Sequence, residues 1–295
     1  MRLSKDLYTI YGQLLAKKDR EITHDVVKKI WSMGDKHNQA RVPLQNTDIF
    51  TDLQKVFRDK RYMTMFKPPL SREEICEVAG RLKLENDIIF ELSIMKNNLL
   101  YTYYHVLVVA AFVIKLSLAF KPKEYDREIA SHCGFTHDIG KTRVPIEILN
   151  KRDKLSDEER AIIETHPVCG FLLLNYYLKK DRRECSFSCL EHHRKLDGSG
   201  YPKSSSKIHK YTKLISPVDI MDALMTKRPY RGKAFSLRAS LDYLIKESRE
   251  GRIDREIVLM LISFARKNKP KAGDIRISEI PREKIPEEMT HDKYR

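Results

Sequence analysis

Seven side chains able to bind a metal recur at even intervals through the middle of this 295-residue chain: His105, His137-Asp138, His166, His192-His193 and Asp219. Successive stations lie about 26 to 32 residues apart, the length of one helix and its return. A helical domain can send one or two of them from each helix to a common centre. Neutral imidazole with carboxylate suits borderline divalent metals such as iron, manganese or zinc. Two such ions about 3.5–4 Å apart hold a hydroxide between them and clamp both oxygens of an in-line phosphoryl displacement. That arrangement needs one bridging carboxylate, and His137-Asp138 offers a terminal ligand and a bridge from one turn. His105 and Asp219 would complete one metal; His166, His192 and His193 would complete the other. Lys141 follows the pair on the same side of the helix end, where its ammonium can meet a phosphate oxygen or protonate a leaving alkoxide. A lone histidine is more often a packing or surface residue. The ordered series points instead to metal-assisted hydrolysis.

These stations must be held by helices. A long helical pattern covers Asp87 to Phe120, apolar on nearly all sides in its middle, and reads as a helix buried in a bundle with His105 inside it. The next runs from Asp126 to Gly140, with Ile129, Cys133 and His137 on one face, His132 one step round as a bystander, and Gly140 ending the helix. Ser156-x-x-Glu159 is a capping box before Ile162, Ile163 and His166, and Pro167 must kink or restart that helix. Leu190 to Arg194 ends a further helix, and DGSGYPKSSSK is an open loop. A helix beginning at Val218 carries Asp219 and Asp222 on one face. Asp222 reads either as an orienting partner or as a surface acid and stays outside the ligand set.

The first ninety-odd residues read as several helices. Ile49, Phe50, Leu53, Val56 and Phe57 follow a cap at Asn46 or Thr47, and Ser71-x-x-Glu74 forms a capping box before Ile75. Ser71 to Leu84 gives only weak support for half of a helix-turn-helix. His24 and His37 are isolated and expected to be exposed. The last thirty residues read as a loosely attached charged tail. No regular strand alternation and no internal repeat stand out. The expected organisation is a helical segment 1–95, a bundle over 96–270 and a tail over 271–295, all-α throughout.

Composition sets outer bounds. Hydrophobic residues make up 41%, enough for a core, and 33% are charged. The uncharged apolar run Val106 to Ile114 falls short of the roughly 20 residues of a membrane span. With no signal-peptide pattern at the amino terminus, a cytoplasmic location without membrane association is expected. Five cysteines without a CxxC pair read as reduced, mostly buried thiols, a metal role for Cys185 and Cys189 being the minor alternative. The net charge of +15 suits an anionic partner, but the basic residues are scattered, which weighs against nucleic acid.

The strings HDIGK (137–141), VPIEILNK (144–151), HPVCG (166–170), HHRKLDGSGYP (192–202) and DIMDALMTKRPYR (219–231) together resemble the HD-GYP family. This is a subgroup of the HD phosphohydrolases that hydrolyses cyclic dinucleotides, chiefly cyclic di-GMP. The resemblance covers roughly residues 96 to 265. It implies an HD-type bundle in which His105, His137, Asp138, His166, His192, His193 and Asp219 bind two divalent ions, with Asp138 as the bridge. Iron is the first expectation and manganese the next. The resemblance further implies that Lys141, Tyr201, Arg228 and Arg231 contact substrate phosphates or bases. Tyr201 as a half-buried turn residue, and the arginines as helix-end charges, stand as alternatives. The implied activity opens cyclic di-GMP to linear pGpG and onward to GMP.

Departures from the family pattern are Tyr101 where a glutamate would support a third metal, Val108 in place of an arginine, Lys213 in place of another, and Ser-Ser-Ser-Lys-Ile-His over 204–209. They keep two alternatives open: a nucleotide sensor with weak turnover, and a phosphohydrolase of another nucleotide. A homodimer or a signalling partner would act through residues 1–95.

Overall fold

The computed structural model describes residues 1–34, 40–67, 72–120, 125–178, 182–227, 234–277 and 283. In chain order the elements are β1 (Leu7–Tyr8), β2 (Leu14–Ala16), α1 (His24–Gly34), β3 (Arg41–Pro43), α2 (Asp48–Val56), α3 (Arg72–Arg81), β4 (Lys83–Glu85), α4 (Asn86–Asn98) and α5 (Leu100–Ala119). They continue with α6 (Arg127–Thr136), α7 (Ile146–Leu149), α8 (Asp157–Ile163), α9 (His166–Tyr177), α10 (Arg183–Glu191), α11 (Lys210–Met225), α12 (Leu237–Arg249) and α13 (Arg255–Ala265). Among the described residues the fold is helical, as the sequence implies, apart from two small antiparallel pairs, β1–β2 and β3–β4. Strands of two or three residues are too short for an alternating pattern to register.

The axis of the molecule is α5. Val106 to Ile114 are all fully buried, so α5 is surrounded, with α6, α11, α4 and α2 among its neighbours. It is long and apolar enough to cross a membrane by composition, yet 83% of its most apolar window is buried inside the bundle. Each buried Val, Leu, Ile or Phe on it contributes roughly 1.5–3 kcal/mol.

Three boundaries differ from the sequence reading. The pattern over Asp87 to Phe120 is two helices: Leu99 leaves helical geometry (φ −134°, ψ 50°) directly after Asn97-Asn98, poor helix formers that favour a helix end. Next, α6 stops at Thr136 and the chain continues as a 3₁₀ turn over Ile139–Arg143. Gly140 therefore does not cap α6. It is needed where that turn crosses α9, since a methyl there would overlap the His166 carbonyl and lie 2.6 Å from the Gly170 nitrogen. Finally, the helix carrying Asp219 starts at Lys210 rather than Val218 and runs through Pro217. Burying Tyr211, Leu214 and Ile215 is worth about 5–9 kcal/mol together, more than the roughly 3 kcal/mol an interior proline costs.

Other local readings hold. Ser156 and Glu159 form a reciprocal capping box, and Pro167 lies in the first turn of a restarted helix. Thr47 occupies the N-cap of α2, though its hydroxyl donates to the Leu44 carbonyl instead of capping. The Ser71 box and His37 lie outside the described residues. His24 is exposed, and the five cysteines are free thiols. Within the expected tail region, residues 266–277 touch the body: Ser263 donates to the Pro270 carbonyl (2.6 Å) and Lys269 to the Thr64 carbonyl (2.8 Å).

Residues 1–95 share a continuous apolar core with the bundle. Trp31 donates its indole N–H to Asn175 on α9 (2.6 Å), and the Tyr103 hydroxyl donates to Asp52 on α2 (2.9 Å). Buried Glu91 on α4 accepts from Tyr177 (2.7 Å) and from the Arg143 guanidinium.

Gly134 lets α6 come close to α5, since an added methyl there would stand 2.8 Å from the Ala110 Cα. Gly134→Ala gains about 1 kcal/mol of helix propensity but forces backbone apart at a cost of about 1–3 kcal/mol. A net loss of stability is expected, read as a lowered thermal midpoint of the full chain.

Candidate metal centre

Three of the five histidines sit at helix ends. His137 and His192 are the C-cap residues of α6 and α10, and His166 opens α9 three residues after α8 ends at Ile163. The last carbonyls of a helix lack intrahelical partners and need donors. Each of the three rings supplies one: His137 Nδ1 donates to the Gly134 carbonyl (2.9 Å), His166 Nδ1 to Ile163 (2.7 Å) and His192 Nδ1 to Cys189 (2.6 Å). A carbonyl only accepts, so Nδ1 holds the proton and Nε2 of the neutral ring is a bare lone pair. His105 lies inside α5, where carbonyls are already committed; its Nδ1 donates instead to the Asp222 carboxylate (2.5 Å).

The Nε2 atoms then converge. His137 and His105 face each other at 3.4 Å, and His166 and His192 at 3.2 Å. Asp138, fully buried on the turn after α6, lies between the two pairs. Its Oδ2 is 3.6 Å from both His105 and His137 Nε2, and its Oδ1 is 3.3 Å from His166 and 3.4 Å from His192. Among the described residues Oδ1 accepts no hydrogen bond despite its burial. Asp219 on α11 faces His105 Nε2 (3.1 Å) and His193 Nδ1 (3.7 Å). Ligand atoms of Asp138, His166, His192 and His193 lie within 4.8 Å of one another, as do those of His105, His137 and Asp138. Acceptors aimed at acceptors, with a carboxylate oxygen lacking a donor, form a donor set that a divalent cation satisfies.

Electrostatics separate two of these rings from the third. Burial pushes His137 down to about 3 and His166 down to about 4, which keeps both rings neutral and able to ligate. Burial alone would raise Asp138, but Lys141 and the surrounding imidazoles hold it well below the usual carboxylate range. Asp219 is likewise depressed, its burial outweighed by His105 and His193. Burial opposes the charged form of His105, yet Asp219 and Asp222 raise it to about 9.

All seven metal-ligand residues read from the sequence come together. Lys141 Nζ donates to Asp138 Oδ2 (2.6 Å). Tyr201 stacks on His193 with ring centroids 4.7 Å apart and planes 26° apart. The turn before it sets that position: Gly200 has φ +81°, and a side chain there would collide with the His193 carbonyl. Arg194 then ties the unusual 204–206 stretch down, donating to the Ser204 (2.9 Å) and Ser206 (2.6 Å) carbonyls. Lys213 pairs with Asp254 at the start of α13 (3.4 Å). Arg228 and Arg231 lie outside the described residues.

Some assignments need amending. Asp222 is no surface acid: it is buried and grips His105. His132 stays outside the centre but is engaged, bonding buried Glu85 at the end of β4 (3.1 Å). Cys185 faces Cys133 (3.4 Å between sulfurs), and neither belongs to the ligand groups. Tyr62 and Thr226, whose hydroxyls both donate to Asp222, went unnoticed in the sequence; Tyr62 lies too far from Asp222 along the chain for spacing to signal the contact.

A buried histidine–aspartate centre in a helical bundle defines a metal-dependent class of protein. The comparisons give the family: the HD domain model matches residues 86–257, and the chain belongs to the HD domain family. Among relatives, a cyclic di-GMP phosphodiesterase of Pseudomonas aeruginosa is 32% identical over 183 residues, 60% of this chain and 43% of that protein. A cyclic di-GMP phosphodiesterase response regulator of Xanthomonas campestris is 34% identical over 37% of this chain and 29% of its own length. A 3'3'-cGAMP-specific phosphodiesterase of Vibrio cholerae is 32% identical over 51% of this chain and 34% of its own length. The chain thus spans less than half the length of each of these relatives.

Replacing Asp138 by Ala removes the carboxylate facing both histidine sets. Elemental analysis of purified protein should find divalent metal in the wild-type chain and little in the variant. Thermal unfolding of wild type should move upward with added manganese, by mass action on the folded state, while Asp138→Ala should not respond.

Proposed function

We propose that this chain is a metal-dependent phosphodiesterase that hydrolyses a cyclic dinucleotide to its linear form through two divalent cations. The observation that carries this reading is the division of Asp138: one oxygen faces His105 and His137, the other His166 and His192. In this reading His105, His137 and Asp219 would hold one ion and His166, His192 and His193 the other, with Asp138 as the carboxylate available to both. Iron is the first choice and manganese the second, as histidine–carboxylate sets accept either. When bound, such a pair neutralises charge on a phosphoryl group and makes water nucleophilic near neutral pH.

The chain's own residues would do the rest. The Nδ1–H bonds to helix-end carbonyls fix the ring orientations, so no reorganisation is needed as charge develops. Lys141, already on Asp138, would keep its carboxylate turned inward and offer a positive charge to a phosphate oxygen. Tyr201, stacked on His193, would give a nucleobase an aromatic face. Arg228 and Arg231 would complete the phosphate contacts.

The names of the relatives divide between cyclic di-GMP and 3'3'-cGAMP, so both belong in the assay. Wild-type protein loaded with iron or manganese should convert at least one of them to the linear dinucleotide. His137→Ala with Asp138→Ala should lower the rate by at least about a hundredfold, the scale at which removing a preorganised charged group acts. Equal rates would refute the mechanism. Tight binding without conversion would mark a nucleotide sensor, a reading that the substituted 204–209 segment favours. Because the net charge is +15, the second-order rate for a dianionic substrate should fall as ionic strength rises.

A further inference from the structure

We infer that Tyr62, from the segment before the HD domain, is a positioning residue for the metal centre and acts through Asp222 on His105. The inference rests on the metal-site reading above and extends it beyond residues 86–257, the span the family model matches.

The need for it follows from where His105 sits. The other three inward-facing rings are oriented by carbonyls at the ends of helices. A ring in the middle of α5 has no such carbonyl, and Asp222 takes that place with Oδ2. Its other oxygen, Oδ1, must then be satisfied inside the protein, because Asp222 is 1% exposed. Two hydroxyls do this: Tyr62, in a short hydrogen bond, and Thr226 (3.1 Å). The Arg61 guanidinium stands 3.9 Å from the same oxygen, donates to the Thr226 hydroxyl, and lies over the Tyr62 ring at 4.8 Å. Asp59 fixes that guanidinium (2.7 Å), and Tyr104 donates to Asp59 in turn (3.0 Å).

The contact at the centre of this arrangement is buried on both sides. Tyr62 is fully buried, its ring edge-on to Phe112 of α5 (5.7 Å, 81°). Losing its hydroxyl would leave Asp222 free to rotate about its bond to Thr226 and carry His105 Nε2 off the line toward Asp138 and Asp219. Partners behind a ligating histidine set ring orientation and basicity, and replacing them typically weakens metal binding about 10–100-fold.

The test measures manganese affinity of the metal-stripped full chain by competition with a chromogenic chelator. Asp222→Asn should weaken binding about 10–100-fold, and Tyr62→Phe about tenfold, at the low end for a partner one bond further out. The double variant should bind no more weakly than Asp222→Asn alone, since Tyr62 acts only through that carboxylate. A Tyr62→Phe affinity equal to wild type, or losses that add in the double variant, would overturn the inference while leaving the metal site standing. Wild-type protein that takes up no manganese or iron would overturn the metal site and the inference together. Should Tyr62→Phe fold poorly by circular dichroism, Thr226→Val, which strips the other hydroxyl from the same oxygen, carries the same comparison.

Discussion

Four of the five histidine rings at this centre are committed on their outer nitrogen. With the Nδ1 proton directed at a carbonyl or at Asp222, Nε2 of the neutral ring can only offer electrons, and the four Nε2 atoms surround one carboxylate. The rest of the architecture serves that constraint. Helices α6, α8 and α10 end where they do so that their final carbonyls receive those protons, and α5 carries its ring through the middle of the bundle. Low dielectric sharpens the result, since burial keeps His137 and His166 neutral in the range where an exposed imidazole would begin to protonate.

The ligand set was legible because it depends on residue type and on intervals close to one helix plus its return. Those properties survive without coordinates. The capping box at Ser156 and the restart at Pro167 were legible too, since both are decided within four residues. Boundaries set by tertiary burial were not. The helix around Asp219 runs through Pro217 because Tyr211, Leu214 and Ile215 are buried on it, and no local rule reports that. Gly140 looked like a helix stop, yet its reason lies in a backbone 26 residues further on, at His166.

The contribution of the amino-terminal segment was the least visible. It reads as separate helices of unassigned purpose, but it shares the core of the bundle and sends Tyr62 and Arg61 to the carboxylate behind His105. Two hydrogen bonds separate Tyr62 from the His105 ring. The segment thus reaches the centre through the buried contacts of Tyr62 with Asp222 and of Asp222 with His105.

The crossing of Gly140 and Gly170 has a consequence for inheritance. Backbone meets backbone there so closely that even one extra carbon at either position would strike the His166 carbonyl or the Cys189 sulfur. Most single-base changes in a glycine codon introduce larger, often charged, side chains. Any of these would push α9 away from the turn after Asp138, and with it loosen the approach of Asp138 to His166.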